Sequence, residues 1–86
     1  MLKKLTEQDF TAIIGTIESG YTIQRARYKG GRFSDSDCYG IALAKNELGN
    51  WVTWEFKIDS DENPDFYWGH YIPSEADALK DYEVRS

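Results

Sequence analysis

Between Trp51 and Ile58 the chain reads Trp-Val-Thr-Trp-Glu-Phe-Lys-Ile, with Val52, Trp54, Phe56 and Ile58 at every second position. Residues spaced by two fall on one side only of an extended strand. The run fits no helical stripe. It therefore commits the chain to a sheet with one strongly apolar face, around which the other segments must pack.

The flanking segments supply the rest of the architecture. Thr6-Glu7-Gln8-Asp9 has the form of a capping box with Asp in place of the usual Glu. Glu7 and Asp9 also suit the positive end of a helix. Phe10, Ile13, Ile14 and Ile17 recur at helical spacing, so a helix is expected over residues 6–20. Gly15 weakens it, and Ser19-Gly20 terminates it. Residues 21–29 read as a strand whose alternation slips between Tyr21/Ile23 and Ala26/Tyr28, which a bulge near Gln24 or Arg25 would reconcile. Gly30-Gly31 signals a turn, and residues 32–38 read as a polar loop. Residues 39–45 form the next strand, with Tyr39, Ile41 and Leu43 on one side and the small Gly40, Ala42 and Ala44 on the other. A hairpin loop, Asn46-Glu47-Leu48-Gly49-Asn50, leads into the Trp51 strand. After an acidic loop at 59–65, residues 66–72 make a fourth strand with aromatic side chains on both faces. Ser74 caps a last helix, with Glu75 and Asp77 in its first turn and Ala78, Leu79 and Tyr82 as a narrow apolar face.

With 86 residues this is a single domain, 1–86. The expected fold is α+β: a four-stranded antiparallel meander with an N-terminal and a C-terminal helix on one face (α-β-β-β-β-α). The expected core is Phe10, Ile13, Ile14, Ile17, Ile41, Leu43, Val52, Trp54, Phe56, Trp68, Leu79 and Tyr82. The other sheet face then presents Trp51, Thr53, Glu55, Tyr67 and Tyr71 to solvent or to a partner.

Charge narrows the choice of partner. The net charge is −5, and it is uneven: from Ala44 onward four cations (Lys45, Lys57, Lys80, Arg85) meet ten acids. Such a half repels polyanions, so nucleic acid and anionic lipid are disfavoured and a basic partner or simple solubility is favoured. No window approaches the roughly 18 apolar residues of a membrane span, and no signal-length apolar run follows Met1. Cys38 is the only cysteine, which allows no internal disulfide and no cysteine metal cage and fits a reducing cytoplasm.

A search for reactive groups finds little. His70, the only histidine, sits in an apolar strand with no orienting partner or nucleophile in sequence. The loop Asp59-Ser60-Asp61-Glu62-Asn63-Pro64-Asp65 resembles a calcium loop, but Pro64 and His70 occupy the positions that need Gly and Glu. Asp35-Ser36-Asp37 reads as a turn, and Cys38 as an inert small residue unless Arg32 folds beside it. Gly30-Gly31-Arg32 lacks the context of a phosphate loop. No catalytic residue, metal ligand or cofactor is assigned.

Two binding surfaces remain. Trp51, Tyr67 and Tyr71, rimmed by Asp59, Asp61, Glu62 and Asp65, suit a basic protein surface; the alternatives are a homodimer face or a second small core under a loop. Alternatively, Arg25, Arg27, Lys29 and Arg32, interleaved with Tyr28 and Phe33, could hold phosphates and bases as a small regulatory nucleic-acid binder.

Tyr39-Gly40-Ile41, Trp51-Val52-Thr53-Trp54, Tyr67-Trp68-Gly69-His70-Tyr71 and the tail Ala78 to Arg85 together resemble a group of short accessory proteins of bacterial phages and mobile elements. That resemblance implies a non-enzymatic inhibitor in the host cytoplasm. Small acidic accessory proteins can occupy the nucleic-acid groove of a host nuclease, as some anti-CRISPR proteins do, so the resemblance implies a target such as a CRISPR effector nuclease.

Overall fold

The computed structural model describes residues 7–30, 39–58 and 63–85. Its elements run α1 (Glu7–Thr11), β1 (Ile17–Glu18), β2 (Tyr21–Gly30), β3 (Tyr39–Lys45), β4 (Trp51–Ile58), β5 (Pro64–Ile72) and α2 (Glu75–Val84). The fold is α+β, with a single antiparallel sheet in the order β1-β2-β3-β4-β5. Strands expected at 39–45 and 51–58 lie where the alternation places them. The bulge foreseen near Gln24 is present: the β2–β3 register slips between Ile23 and Arg25, which brings Ile23 and Ala26 onto one face.

The first helix is much shorter than the 6–20 expected, and a fifth strand takes the freed residues. Gly15 is the cause. It adopts φ +92°, and its N–H leaves the helical ladder to donate to Ile23 O at 2.8 Å. Thr16 Oγ1 donates to Ile13 O at 2.6 Å, closing the last turn. The chain then pairs Glu18 with Tyr21 across Ser19-Gly20, both at positive φ as a type I′ hairpin requires. Ser19-Gly20 is thus a hairpin tip rather than a helix stop. Ile17, expected in the core, is 71% exposed, and Ile14 is exposed too.

A second correction concerns the helices, which lie on opposite faces of the sheet. The β3–β4 register pairs Ala42 with Trp54, Ala44 with Val52 and Gly40 with Phe56, while Ile41 meets Glu55 and Leu43 meets Thr53. Small residues thus face large ones on one side, and Ile41 and Leu43 point to the other. Because side chains alternate with period two, these two sets cannot share a face. Phe10 and Ile13 of the α1 segment close the first core over Ala42, Val52, Trp54 and Phe56. Ala78 and Tyr82 of α2 close the second over Ile41, Leu43 and Trp51. Trp51, expected at the surface, is therefore only 8% exposed, and Trp68, expected in the core, is 70% exposed.

The first core is an aromatic stack centred on Gly40. Phe10 lies 5.1 Å from Tyr28 and 5.4 Å from Phe56, centroid to centroid. A Cβ on Gly40 would come within 2.6 Å of Arg27 O and 2.8 Å of both Phe10 and Phe56. Gly40→Ala is therefore expected to lower the unfolding free energy by roughly 2 kcal/mol, the usual cost of overpacking a tight core, as read by urea denaturation. Unchanged stability would mean that Phe10 does not sit over this position.

Candidate functional site

Helix α2 spans ten residues, or about 15 Å, whereas the eight residues of β4 run about 26 Å. The helix therefore covers only one end of its face. Beneath it lie Ile41, Leu43 and Trp51. Glu55 lies at the margin of that cover, between Ile41 on one side and Tyr67 on the other, and the Lys57–Asp65 pair lies beyond it.

At the junction the edge strand β5 is bulged. Glu55 pairs with Tyr67 and Thr53 with His70, so β5 spends three steps where β4 spends two. Trp68 absorbs the extra residue at φ +51°, a conformation in which a bulky side chain is a genuine outlier. Gly69 permits the close approach that follows, since a Cβ there would lie 2.9 Å from the Trp54 indole nitrogen. The indole of Trp68 leaves the ladder and meets Tyr67 edge-on, 5.2 Å between centroids at 81°.

A buried cation braces this bulge. Arg85, at the C-cap of α2 and 9% exposed, donates Nη2–H to Trp68 O at 2.6 Å. Its Nη1–H donates to Thr53 O at 2.8 Å and to Thr53 Oγ1 at 3.0 Å. The Thr53 hydroxyl donates in turn to Asp81 Oδ2, which also contacts His70 Nδ1 at 3.0 Å. An ionised carboxylate can only accept, so Nδ1 carries the proton in this contact. Burial pushes the Asp81 carboxyl up. The hydrogen bonds from Thr53 and His70, with the charges of His70 and Arg85, outweigh that and hold it below the usual carboxylate range.

Hydroxyl, imidazole and carboxylate are the parts of a hydrolytic triad, but their order differs. In such a triad the imidazole lies between nucleophile and carboxylate. Here Asp81 lies between Thr53 and His70, and Thr53 is wholly buried. This wiring ties α2 to the sheet and gives the imidazole no hydroxyl proton to take.

The three rings expected to lie together are separated. Trp51 lies under α2 with Lys45 Nζ 5.5 Å from its ring centroid. Tyr67 stays half-buried on that face. Tyr71 is 66% exposed but pairs with Val52 on the opposite face, 6.2 Å from Tyr21. Asp65 is exposed. Asp59, Asp61 and Glu62 lie outside the described residues, as do Arg32, Phe33, Asp35, Asp37 and Cys38. Besides Trp51 and Tyr71, sequence reasoning misplaced Trp68, and the signal for it was Gly69 inside a strand, which often marks a bulge.

Arg27 has a structural task. Its Nη2 donates to the carbonyls of Tyr82, Glu83 and Arg85 at 2.6, 3.3 and 3.3 Å, and its guanidinium lies 5.0 Å from the Tyr82 ring centroid. It thereby supplies the cation that the last turn of α2 lacks. Arg25 is exposed and Lys29 half-buried, with a second register slip just after Tyr28. On the α1 face, a groove of about 440 Å³ has a floor of Ile13, Ile58 and Phe66 and a rim bearing Asp9 and Glu18. Among the described residues no group of three or more His, Cys, Asp or Glu is placed to hold a metal, and no helix is long and apolar enough to cross a membrane.

The lowered Asp81 pKa makes a pH prediction. A carboxyl depressed in the folded state stabilises it above the unfolded value, near 3.9, and that stabilisation is lost as pH falls through the folded pKa. Asp81→Asn should be less stable than the parent chain above about pH 4, with the difference shrinking as the solution is made more acidic. Urea midpoints across that range are the readout, and a gap independent of pH would contradict it.

Comparison of the chain with protein-family models, curated proteins and solved structures finds no match.

Proposed function

We propose that this chain is a non-enzymatic protein-binding module that meets a cationic surface of its partner with the Trp68 edge of the sheet. The observation that carries the reading is Trp68 itself: a 70% exposed indole held at a strained positive φ by a buried arginine. Such strain typically costs about 1–3 kcal/mol and persists only where the surroundings impose it. Tryptophan is, with tyrosine and arginine, enriched among the energetic anchors of protein interfaces.

Charge supports the choice of partner. Glu55 and Asp65 flank Tyr67, and the whole chain carries −5. A partner that normally holds a polyanion complements such a surface. The finer reading is an inhibitor that competes with nucleic acid for a basic groove. A CRISPR effector nuclease fits this reading, in line with the resemblance to phage and mobile-element accessory proteins.

Trp68→Gly separates binding from folding. Glycine tolerates the positive φ without strain, so unfolding free energy should stay level or rise by up to about 1 kcal/mol. Binding should fall sharply at the same time. The assay is cleavage by a panel of purified CRISPR effector nucleases with and without the chain, alongside affinity capture from a bacterial lysate. Inhibition or capture by the parent chain that Trp68→Gly abolishes is expected. A partner bound equally well by Trp68→Gly would overturn the proposed surface.

A further inference from the structure

The surroundings of Trp68 narrow the kind of group that a partner must offer. Tyr67 and Trp68 stand nearly perpendicular, 5.2 Å apart at 81°. The edge-on contact leaves Trp68 70% exposed, so its indole can offer a ring face to a cation. Glu55 lies directly across the ladder from Tyr67, and Asp65 is two residues before it. After burial, these two carboxylates are the main reasons the Tyr67 phenol is pushed up, so their field reaches the rings. Glu55 is the carboxylate directly opposite Tyr67, while Lys57 stands opposite Asp65 in the ladder, close to both acids.

Resting on the protein-binding reading, we propose that this corner takes an arginine side chain of the partner, its guanidinium stacked on Trp68 and paired with Glu55. A guanidinium is planar and weakly hydrated, and its fork matches a carboxylate while its face lies on a ring; an ammonium can sit over a ring but has neither the fork nor a stacking plane. The site thus selects arginine over lysine, and Lys57 acts as an internal competitor for the carboxylates.

The test is an NMR titration of the ¹⁵N-labelled chain with acetylated, amidated pentapeptides. Each peptide carries one central arginine, lysine or glutamate between glycines. The Trp68 indole signal is assigned by its loss in Trp68→Phe. The arginine peptide should shift that signal and the Tyr67 amide saturably, with the lysine peptide roughly fivefold weaker and the glutamate peptide silent. Glu55→Gln should weaken the arginine peptide by roughly fivefold, and Lys57→Gln should strengthen it. An unmoved Trp68 signal, equal binding of arginine and lysine, or an unchanged affinity in Glu55→Gln would overturn the assignment. If a partner is lost in Trp68→Gly while the arginine peptide leaves Trp68 unmoved, the arginine assignment falls and the binding surface stands. If the partner is retained in Trp68→Gly, both fall.

Discussion

The guanidinium of Arg85 is the interaction on which the arrangement depends. It is a charge taken almost wholly out of water, a costly step unless its donors are met. Three acceptors meet them: Thr53 O, Thr53 Oγ1 and Trp68 O. Asp81 lies one hydroxyl away and supplies compensating charge. One side chain thereby joins the end of α2, the centre of β4 and the bulge in β5. Arg27 reaches the same helix end from β2 and binds its last carbonyls. Only Ala78 and Tyr82 of α2 are buried, so the helix is fixed to the sheet as much by two arginines as by apolar contact.

Much of this fold could be read from the residues, and the misreadings have identifiable causes. The strand at 51–58, the loop anchored by Asn46, the bulge at Gln24 and the Ser74 cap all follow from local chemistry. Asn46 Oδ1 accepts from the N–H groups of Leu48 and Asn50 at 3.0 and 2.9 Å, as a side chain suited to turns should. Both helices would share one face only if Ile41/Leu43 and Val52/Trp54 formed one core. Yet a five-residue loop at 46–50 pairs Lys45 with Trp51, and that register already sets Ile41 against Glu55. The opposite faces were therefore implicit in the loop length. The helix ending at Thr11 was harder to see. Ile13, Ile14 and Ile17 carry a valid helical spacing, and only the non-local bond from Gly15 to Ile23 selects the hairpin over it.

The candidate site was legible in composition but not in position. Glu55 and Tyr67 do lie together, as the alternation implied. Trp51 and Trp68, however, exchange roles: the helix covers one and the bulge releases the other. A single extra residue in β5 accounts for the second change. A bulge on an edge strand also discourages pairing with another sheet, and that alone would explain its presence. It does not explain the exposed indole, since a lysine or a proline blunts an edge without baring a large apolar ring. The Arg85 brace, the Gly69 contact with Trp54 and the left-handed Trp68 all serve the outward placement of one side chain.

The backbone conformation of Trp68 is the most direct test of that arrangement, measured in the native chain and in Arg85→Met from the intraresidue amide-to-Hα coupling and Overhauser effect. A positive φ in the native chain, relaxing to an extended one when the guanidinium is removed, is expected. An extended Trp68 in the native chain, or a positive φ that persists without Arg85, would contradict the view that this arginine holds the ring at the surface.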